Sequence, residues 1–209
     1  MKEHRGPLVE NGIVVGNTTD KYESGNLLTR FLTNRFCRAV GDLAAEVAPQ
    51  KIFEVGCGEG HVTKVLLERT PASIDAVDIS ETILNMARGN VASSRVNFEC
   101  KNIYEIDGLK SQADLVVCCE VLEHLDDPQK GLKILADAAA PYAILSVPRE
   151  PLWRILNMAR GAYWRDFGNT PGHLQHWSKS GFIDFIEKEF KVIEVRSVLP
   201  WTILLARSL

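Results

Sequence analysis

The chain has 209 residues, 45% of them hydrophobic and 24% charged, with a formal net charge of −3. That is the size and make-up of one soluble α/β domain with ample core. The acidic balance argues against a general polyanion-binding surface, and no apolar run reaches the length of a membrane span.

Residues 1–20 are polar, with Gly12, Gly16 and the run Asn17-Thr18-Thr19-Asp20, and are expected to form a loose arm. The opening Met1-Lys2-Glu3-His4-Arg5-Gly6-Pro7 has no apolar core behind its charges and reads as no secretory signal. Leu27, Phe31, Leu32, Phe36, Val40, Leu43 and Val47 recur at helical spacing and predict a helix over residues 26–47, which Pro49 stops. Strands and helices then alternate. Strands are expected near 51–55, 73–78, 95–99, 113–119 and 142–147, and helices near 59–69, 80–89 and 128–139. Ser80, with Ile83 and Leu84 behind it, reads as a helix cap. Such alternation means a parallel sheet with helices on both faces. Gly181 to Phe190 reads as another helix. Residues 191–198 and 202–206 read as strands, and the short link Leu199-Pro200-Trp201 demands an antiparallel pair. The expected fold is α/β: a doubly wound sheet, mostly parallel, closed by an antiparallel C-terminal hairpin. Residues 1–209 form one domain on this reading. An arm and helix (1–48) precede a core (49–147). An insertion (148–177) and a C-terminal helix and hairpin (178–209) follow.

Chemistry enters at Phe53-Glu54-Val55-Gly56-Cys57-Gly58-Glu59-Gly60, which reads as the end of a buried strand, a glycine turn and the start of a helix. Glycines let the backbone turn sharply and lie against a ligand. Asp78 ends the next apolar run, where a carboxylate can accept hydrogen bonds from both hydroxyls of a ribose. A nucleoside site is therefore expected. A dinucleotide fingerprint would be G-x-G-x-x-G, but here the spacing is G-x-G-x-G with Glu54 just ahead. A carboxylate repels a pyrophosphate and attracts a sulfonium or an ammonium, which favours S-adenosylmethionine.

The E-V-G-C-G-E-G form resembles the first motif of class I S-adenosylmethionine-dependent methyltransferases. The resemblance continues through Asp78, Asn102 and the run Leu115 to Leu125, and covers about Lys51 to Val147. It is similar in particular to the group that includes ubiquinone-pathway and natural-product O-methyltransferases. It implies a Rossmann-like fold, S-adenosylmethionine as cofactor and S-adenosylhomocysteine as product. It also implies roles for single residues. Glu54 holds the glycine turn and the cofactor amine; Gly56, Cys57, Gly58 and Gly60 admit the backbone approach. Asp78 binds the ribose, Ile79 packs on the adenine, and Asn102 and Ile103 flank it. Asn102 departs from the family, which usually has an acidic residue there. Glu120 lies beside the methionine portion, and Tyr22 and Arg30 cap the cofactor.

Residues 148–177 hold a run after Pro151 that can form a helix, with Leu152, Ile155, Leu156 and Ala159 on one side. Arg149, Arg154, Arg160 and Arg165 lie among Trp153, Tyr163 and Trp164. Three readings stay open for this segment: a lid helix covering the core, a pocket for an anionic or amphipathic acceptor, and a weak membrane-surface contact through 149–165. His124, His173 and His176 are candidate bases, since histidine titrates near neutral pH. Glu120, Glu123, His124 and His173 also resemble the metal set of the small-RNA terminal 2′-O-methyltransferases, whose mixed ligands suit manganese, iron or zinc. The acidic charge weighs against nucleic acid, so the expectation is a small-molecule acceptor and no metal. A non-catalytic binding protein with this fold is the third reading. Five cysteines, an odd number with no C-x-x-C pair, point to reduced thiols and a cytoplasmic protein.

Overall fold

Most element boundaries follow the hydrophobic pattern in the computed structural model, which describes residues 8–10, 13–15, 27–108, 110, 112–159, 161 and 163–209. Ahead of the core, β1 (Leu8–Glu10) and β2 (Ile13–Val15) form a small antiparallel hairpin. This corrects the expected loose arm over residues 1–20. Glu10 pairs with Ile13, and the dipeptide between them in the sequence, Asn-Gly, is a hairpin signal. The rest of the arm and Tyr22 lie outside the described residues.

The core then runs α1 (Leu27–Val47), β3 (Lys51–Val55), α2 (His61–Arg69), β4 (Ser73–Asp78), α3 (Glu81–Asn90), β5 (Val96–Cys100) and β6 (Ala113–Cys119). It continues with α4 (Pro128–Ala138), β7 (Ala139–Pro148), α5 (Leu152–Ala159), α6 (Lys179–Ile186), β8 (Phe190–Val198) and β9 (Trp201–Ser208). Seven strands make one sheet in the order β5-β4-β3-β6-β7-β9-β8. Pairing is parallel from β5 to β7 and antiparallel at β7–β9 and β9–β8.

Alternation along each strand sends neighbouring side chains to opposite faces. On one face Phe53, Val116, Cys118 and Leu145 pack in a core with Leu132 and Leu135 of α4 and Phe182 of α6. On the other, Ile52, Leu115, Val117 and Ile144 pack with Leu43, Leu66 and Leu84 of α1 to α3. Cys118 and Cys119 accordingly fall in different cores, as strand geometry requires, and all five cysteines are free.

Local chemistry sets the ends of the helices. Ser80 Oγ accepts the Ile83 N–H at 3.2 Å and starts α3. Asp127 Oδ1 accepts the Lys130 N–H at 3.0 Å, with Pro128 in the first helical position. Ser178 Oγ accepts the Gly181 N–H at 3.1 Å, so α6 begins at Lys179, two residues ahead of the expected start. It also ends at Ile186, because Phe190 is already paired in β8. Arg95 donates to the carbonyls of Leu67, Thr70 and Ala72 at 2.6 to 3.0 Å and ties the end of α2 to the start of β5.

Three further segments meet the carboxyl ends of the parallel strands. α1 leads into the start of β3 and packs along the sheet, so its first turn lies at that end. Trp201 pairs with Pro148, the last residue of β7, which brings the β8–β9 turn there. α5 follows β7 directly. The Phe36 and Trp201 ring centroids are 5.0 Å apart and join α1 to that turn.

Candidate functional site

The glycine turn after β3 is anchored by its backbone. The Gly56 and Cys57 N–H groups both donate to the Val77 carbonyl, at 2.8 and 3.1 Å. Gly56 has φ +76° and Gly58 φ +54°, a region that side chains strain. A Cβ on Gly56 would stand 2.2 Å from Val121 Cγ2, whereas one on Gly58 would meet nothing within 4 Å. Packing against the end of β6 therefore demands the first glycine. The second faces open space, the property of a cradle that a ligand can enter.

Asp78 closes this cradle from β4. Its Oδ2 accepts the Gly58 N–H at 2.9 Å and its Oδ1 the Ser80 N–H at 3.0 Å. Burial raises its pKa, and the backbone donors pull it back down. Ile79, next in the chain, is 40% exposed and offers an apolar surface beside the carboxylate. Beneath the turn lies Glu54, 2% exposed, with Oε2 buried and unbonded. Burial pushes its pKa up to about 8; the Thr63 hydroxyl lowers it, and the charge of Asp78 raises it further. A buried acid directly below the cradle is suited to a cation above it. The Cys57 thiol is buried and raised in pKa by the same desolvation, so it contributes backbone and bulk rather than a thiolate.

Asn102 and Ile103 follow β5. The Asn102 side-chain oxygen accepts the Tyr104 N–H at 3.0 Å, and Glu105 completes a reciprocal cap of the 3-10 turn Ile103–Glu105. The amide oxygen expected at an adenine edge is thus engaged in a cap. Ile103 is 7% exposed and belongs to the core. Arg30 is exposed on α1.

Glu120 is a non-glycine residue at φ +61°, directly after β6. Its Oε1 accepts from Ser146 Oγ at 3.1 Å and its Oε2 from Trp201 Nε1 at 2.7 Å. Residues from β7 and β9 thus hold a strained position at the strand end, where strain commonly marks function. Neither Ser146 nor Trp201 stands out in the sequence, because each becomes a partner of Glu120 only through sheet pairing.

Beyond Glu120 the chain forms a short 3-10 turn, Leu122–His124. His124 Nδ1 lies 2.8 Å from the Gly172 carbonyl. A carbonyl only accepts, so Nδ1 carries a proton, and in the neutral ring Nε2 is then the nitrogen with the lone pair. The His124 and His173 rings meet edge to face at 4.9 Å, and His173 stacks on Trp153 at 6.2 Å. Glu123 is 1% and His173 7% exposed. One ligand atom each from Glu123, His124 and His173 falls within 4.8 Å of the others. Glu120, the fourth member of the resembled metal set, is turned to Ser146 and Trp201 instead. His176 also stands apart. Its Nε2 is 2.8 Å from Asn169 Oδ1 and 3.2 Å from the Arg154 guanidinium, and desolvation, then Arg154, lowers its pKa.

The insertion holds His173 in place. Trp153 Nε1 donates to Thr170 Oγ1 at 2.8 Å, and Asn157 Nδ2 donates to the Gly168 carbonyl at 2.8 Å. The helix expected after Pro151 is present as α5. Trp153 and Asn157 are its buried residues, while Ile155 and Leu156 are 52% and 41% exposed. The reason is that the buried side makes hydrogen bonds, which Ile and Leu cannot.

The sheet order defines a Rossmann-like fold, and the glycine turn, Asp78 and Glu120 all follow the carboxyl ends of its parallel strands. Residues 53–145 match a family described as a methyltransferase domain. An uncharacterised Synechococcus protein is 36% identical over 110 residues, 50% of this chain and 26% of that one. The ubiquinone biosynthesis O-methyltransferase of Coxiella burnetii is 24% identical over 153 residues, 65% of this chain and 64% of the relative. The chain thus spans about a quarter of the first relative and just under two thirds of the second. The crystal structure of magnesium protoporphyrin IX methyltransferase from Synechocystis PCC 6803 with bound S-adenosylhomocysteine superposes with a TM-score of 0.68 at 18% identity. It covers 90% of this chain and 91% of that one. This chain has the fold of the class I S-adenosylmethionine-dependent methyltransferases, and residues 53–145 are similar to the methyltransferase-domain family.

Proposed function

We propose that the protein transfers a methyl group from S-adenosylmethionine to a small-molecule acceptor, with oxygen as the acceptor atom. The observation that carries the reading is the cradle: Gly58 faces open space, Asp78 stands on its rim, and buried Glu54 lies under it. When bound, S-adenosylmethionine supplies an activated methyl on a sulfonium. Asp78 would bind the ribose hydroxyls, Ile79 would pack on the base, and Glu54 would offset the cofactor's positive charge. The chain's main task is then alignment, which can supply ~7–11 kcal/mol of a barrier. An oxygen acceptor must lose a proton, and His124 Nε2 would take it, a role supported by the Gly172 carbonyl, which engages the other ring nitrogen. His173 and Trp153 hold that ring in place. The similarity to ubiquinone biosynthesis O-methyltransferases supports a small acceptor. Five free cysteines support a cytoplasmic setting.

One observation favours a second reading. Glu123, His124 and His173 form a carboxylate and two-histidine cluster of the kind that holds zinc, iron or manganese. In that case the ion would bind the acceptor oxygens, and a terminal ribose diol of RNA would fit. The net charge of −3 weighs against RNA. Turnover with catechol-type acceptors in the presence of a chelator separates the two. The metal-free reading predicts full activity under chelation and a fall of about 10²–10⁴ in kcat for His124→Ala. Activity that vanishes with the chelator and returns with manganese would establish the metal, and RNA with a free terminal ribose diol would then be tested as the acceptor.

A further inference from the structure

The large apolar side chains that the fold leaves exposed are not scattered evenly. Among the described residues, only Met86, Ile193 and Leu209 of them lie away from the carboxyl end of the sheet. α5 presents Ile155 and Leu156, and the turn after it presents Trp164 and Phe167, 65% and 77% exposed. Across the mouth, the first turns of α1 present Leu27 and Phe31, 79% and 56% exposed. These elements come from opposite ends of the sequence, and the fold brings them to one rim. The faces of α5 are the clearest sign: Ile155 and Leu156 point outward while the hydrogen-bonding Trp153 and Asn157 are buried.

Over the start of α1 and within α5 the charge is of one sign, while Glu150 ahead of α5 lies 3.9 Å from Arg154 and Asp166 sits in the turn after it. From Leu27 to Gly41, α1 carries Arg30, Arg35 and Arg38 and no acidic residue; α5 carries Arg154 and none. Arg35 lies over the Phe31 ring, 5.7 Å from its centroid. The chain as a whole is acidic, so the run of arginines from Arg30 to Arg38 of α1 is a local feature. Exposed apolar side chains interleaved with arginines match a lipid boundary, where rings and aliphatic chains enter the acyl layer and guanidinium groups stay among the phosphates. No helix among the described residues is long and apolar enough to cross a membrane, so the contact is with the surface.

We propose that the carboxyl end of the sheet docks on an anionic lipid surface through α5, the turn after it and the start of α1. The cradle opens at this same end. If the methyl-transfer reading holds, on which this second statement rests, the acceptor is an amphipathic molecule that enters from the lipid.

The test is flotation of the full chain with vesicles of phosphatidylcholine and phosphatidylglycerol in equal parts, and with pure phosphatidylcholine. The expected result is binding to the anionic vesicles, weakened by salt. A blue shift in tryptophan emission should accompany it and disappear in Trp164→Phe. Ile155→Ser with Leu156→Ser should lower partition by roughly tenfold, with an unchanged thermal melt and unchanged S-adenosylhomocysteine affinity. No flotation at low salt, or flotation that the double variant leaves intact, would overturn the proposal. So would a dimer in solution that the double variant dissolves while vesicles bind nothing, which would make a second copy of the chain the partner. A chain that floats without binding S-adenosylhomocysteine would uphold the lipid surface and sink the cofactor reading instead.

Discussion

Glu54 carries the largest local tension, a carboxyl buried without a cation beneath the glycine turn. Its pKa in the folded chain is about 8, against an ordinary value of 4.5. Because the folded value is the higher one, the folded state holds the proton more tightly than the unfolded chain does. Stability from this group is undisturbed below about pH 4.5, falls as pH rises toward about 8, and is constant above that. Glu54→Gln removes the ionisation. Relative to the parent, the variant should gain on the order of 1.4 kcal/mol per pH unit across that window, read by urea denaturation at several pH values. A pH-independent difference would mean that Glu54 is already compensated by a charge. Cofactor binding brings an ammonium toward the same carboxyl, so it should release a proton near neutral pH, measurable by calorimetry in two buffers of different ionisation enthalpy. Of these residues, Glu54, Asp78 and the glycines are legible in the sequence, because their chemistry depends on neighbours within one turn. Trp201 and Ser146 are not, since each meets Glu120 only through pairing with β7 or β9.

The glycine turn divides its work between packing and access. Gly56→Ala would drive a methyl into Val121 and strain φ, costing ~1–3 kcal/mol or more of stability. Gly58→Ala meets no atom and should cost only the ~1–2 kcal/mol of a left-handed alanine, yet still weaken S-adenosylhomocysteine binding by filling the cradle. Denaturation curves with ligand titrations on both variants check this; equal stability losses would contradict the division. Elements with a clean period were legible: β3, β4 and β6 lie where alternation and apolar runs put them. Those set by local polar chemistry were not. The β1–β2 pair falls within an arm whose composition is mostly polar, and α6 starts at its serine cap ahead of its apolar run. α5 was legible as a helix but not in its orientation. Periodicity shows that an apolar face exists, whereas Trp153 and Asn157 hydrogen bonds decide which face is buried.

At the scale of the whole molecule, the sheet brings the cradle, the strained Glu120, the His124–His173 pair and the apolar rim to one end. Between β5 and β6 the 3-10 turn Ile103–Glu105 is the described helical element, and a polar cleft of about 250 Å³ beside β3 to β5 is lined by Lys51, Asp75, Asn97 and Glu99. The gathering of the site at one end follows from the parallel topology, in which every loop after a strand emerges at the same end. The account stands or falls on the cradle. The most direct measurement is a calorimetric titration of the chain with S-adenosylhomocysteine, repeated on Asp78→Ala. One-to-one binding that the variant weakens by about 2–3 kcal/mol, two charge-assisted hydrogen bonds, is the predicted result. No binding to the parent chain, or the same affinity in both, would contradict it.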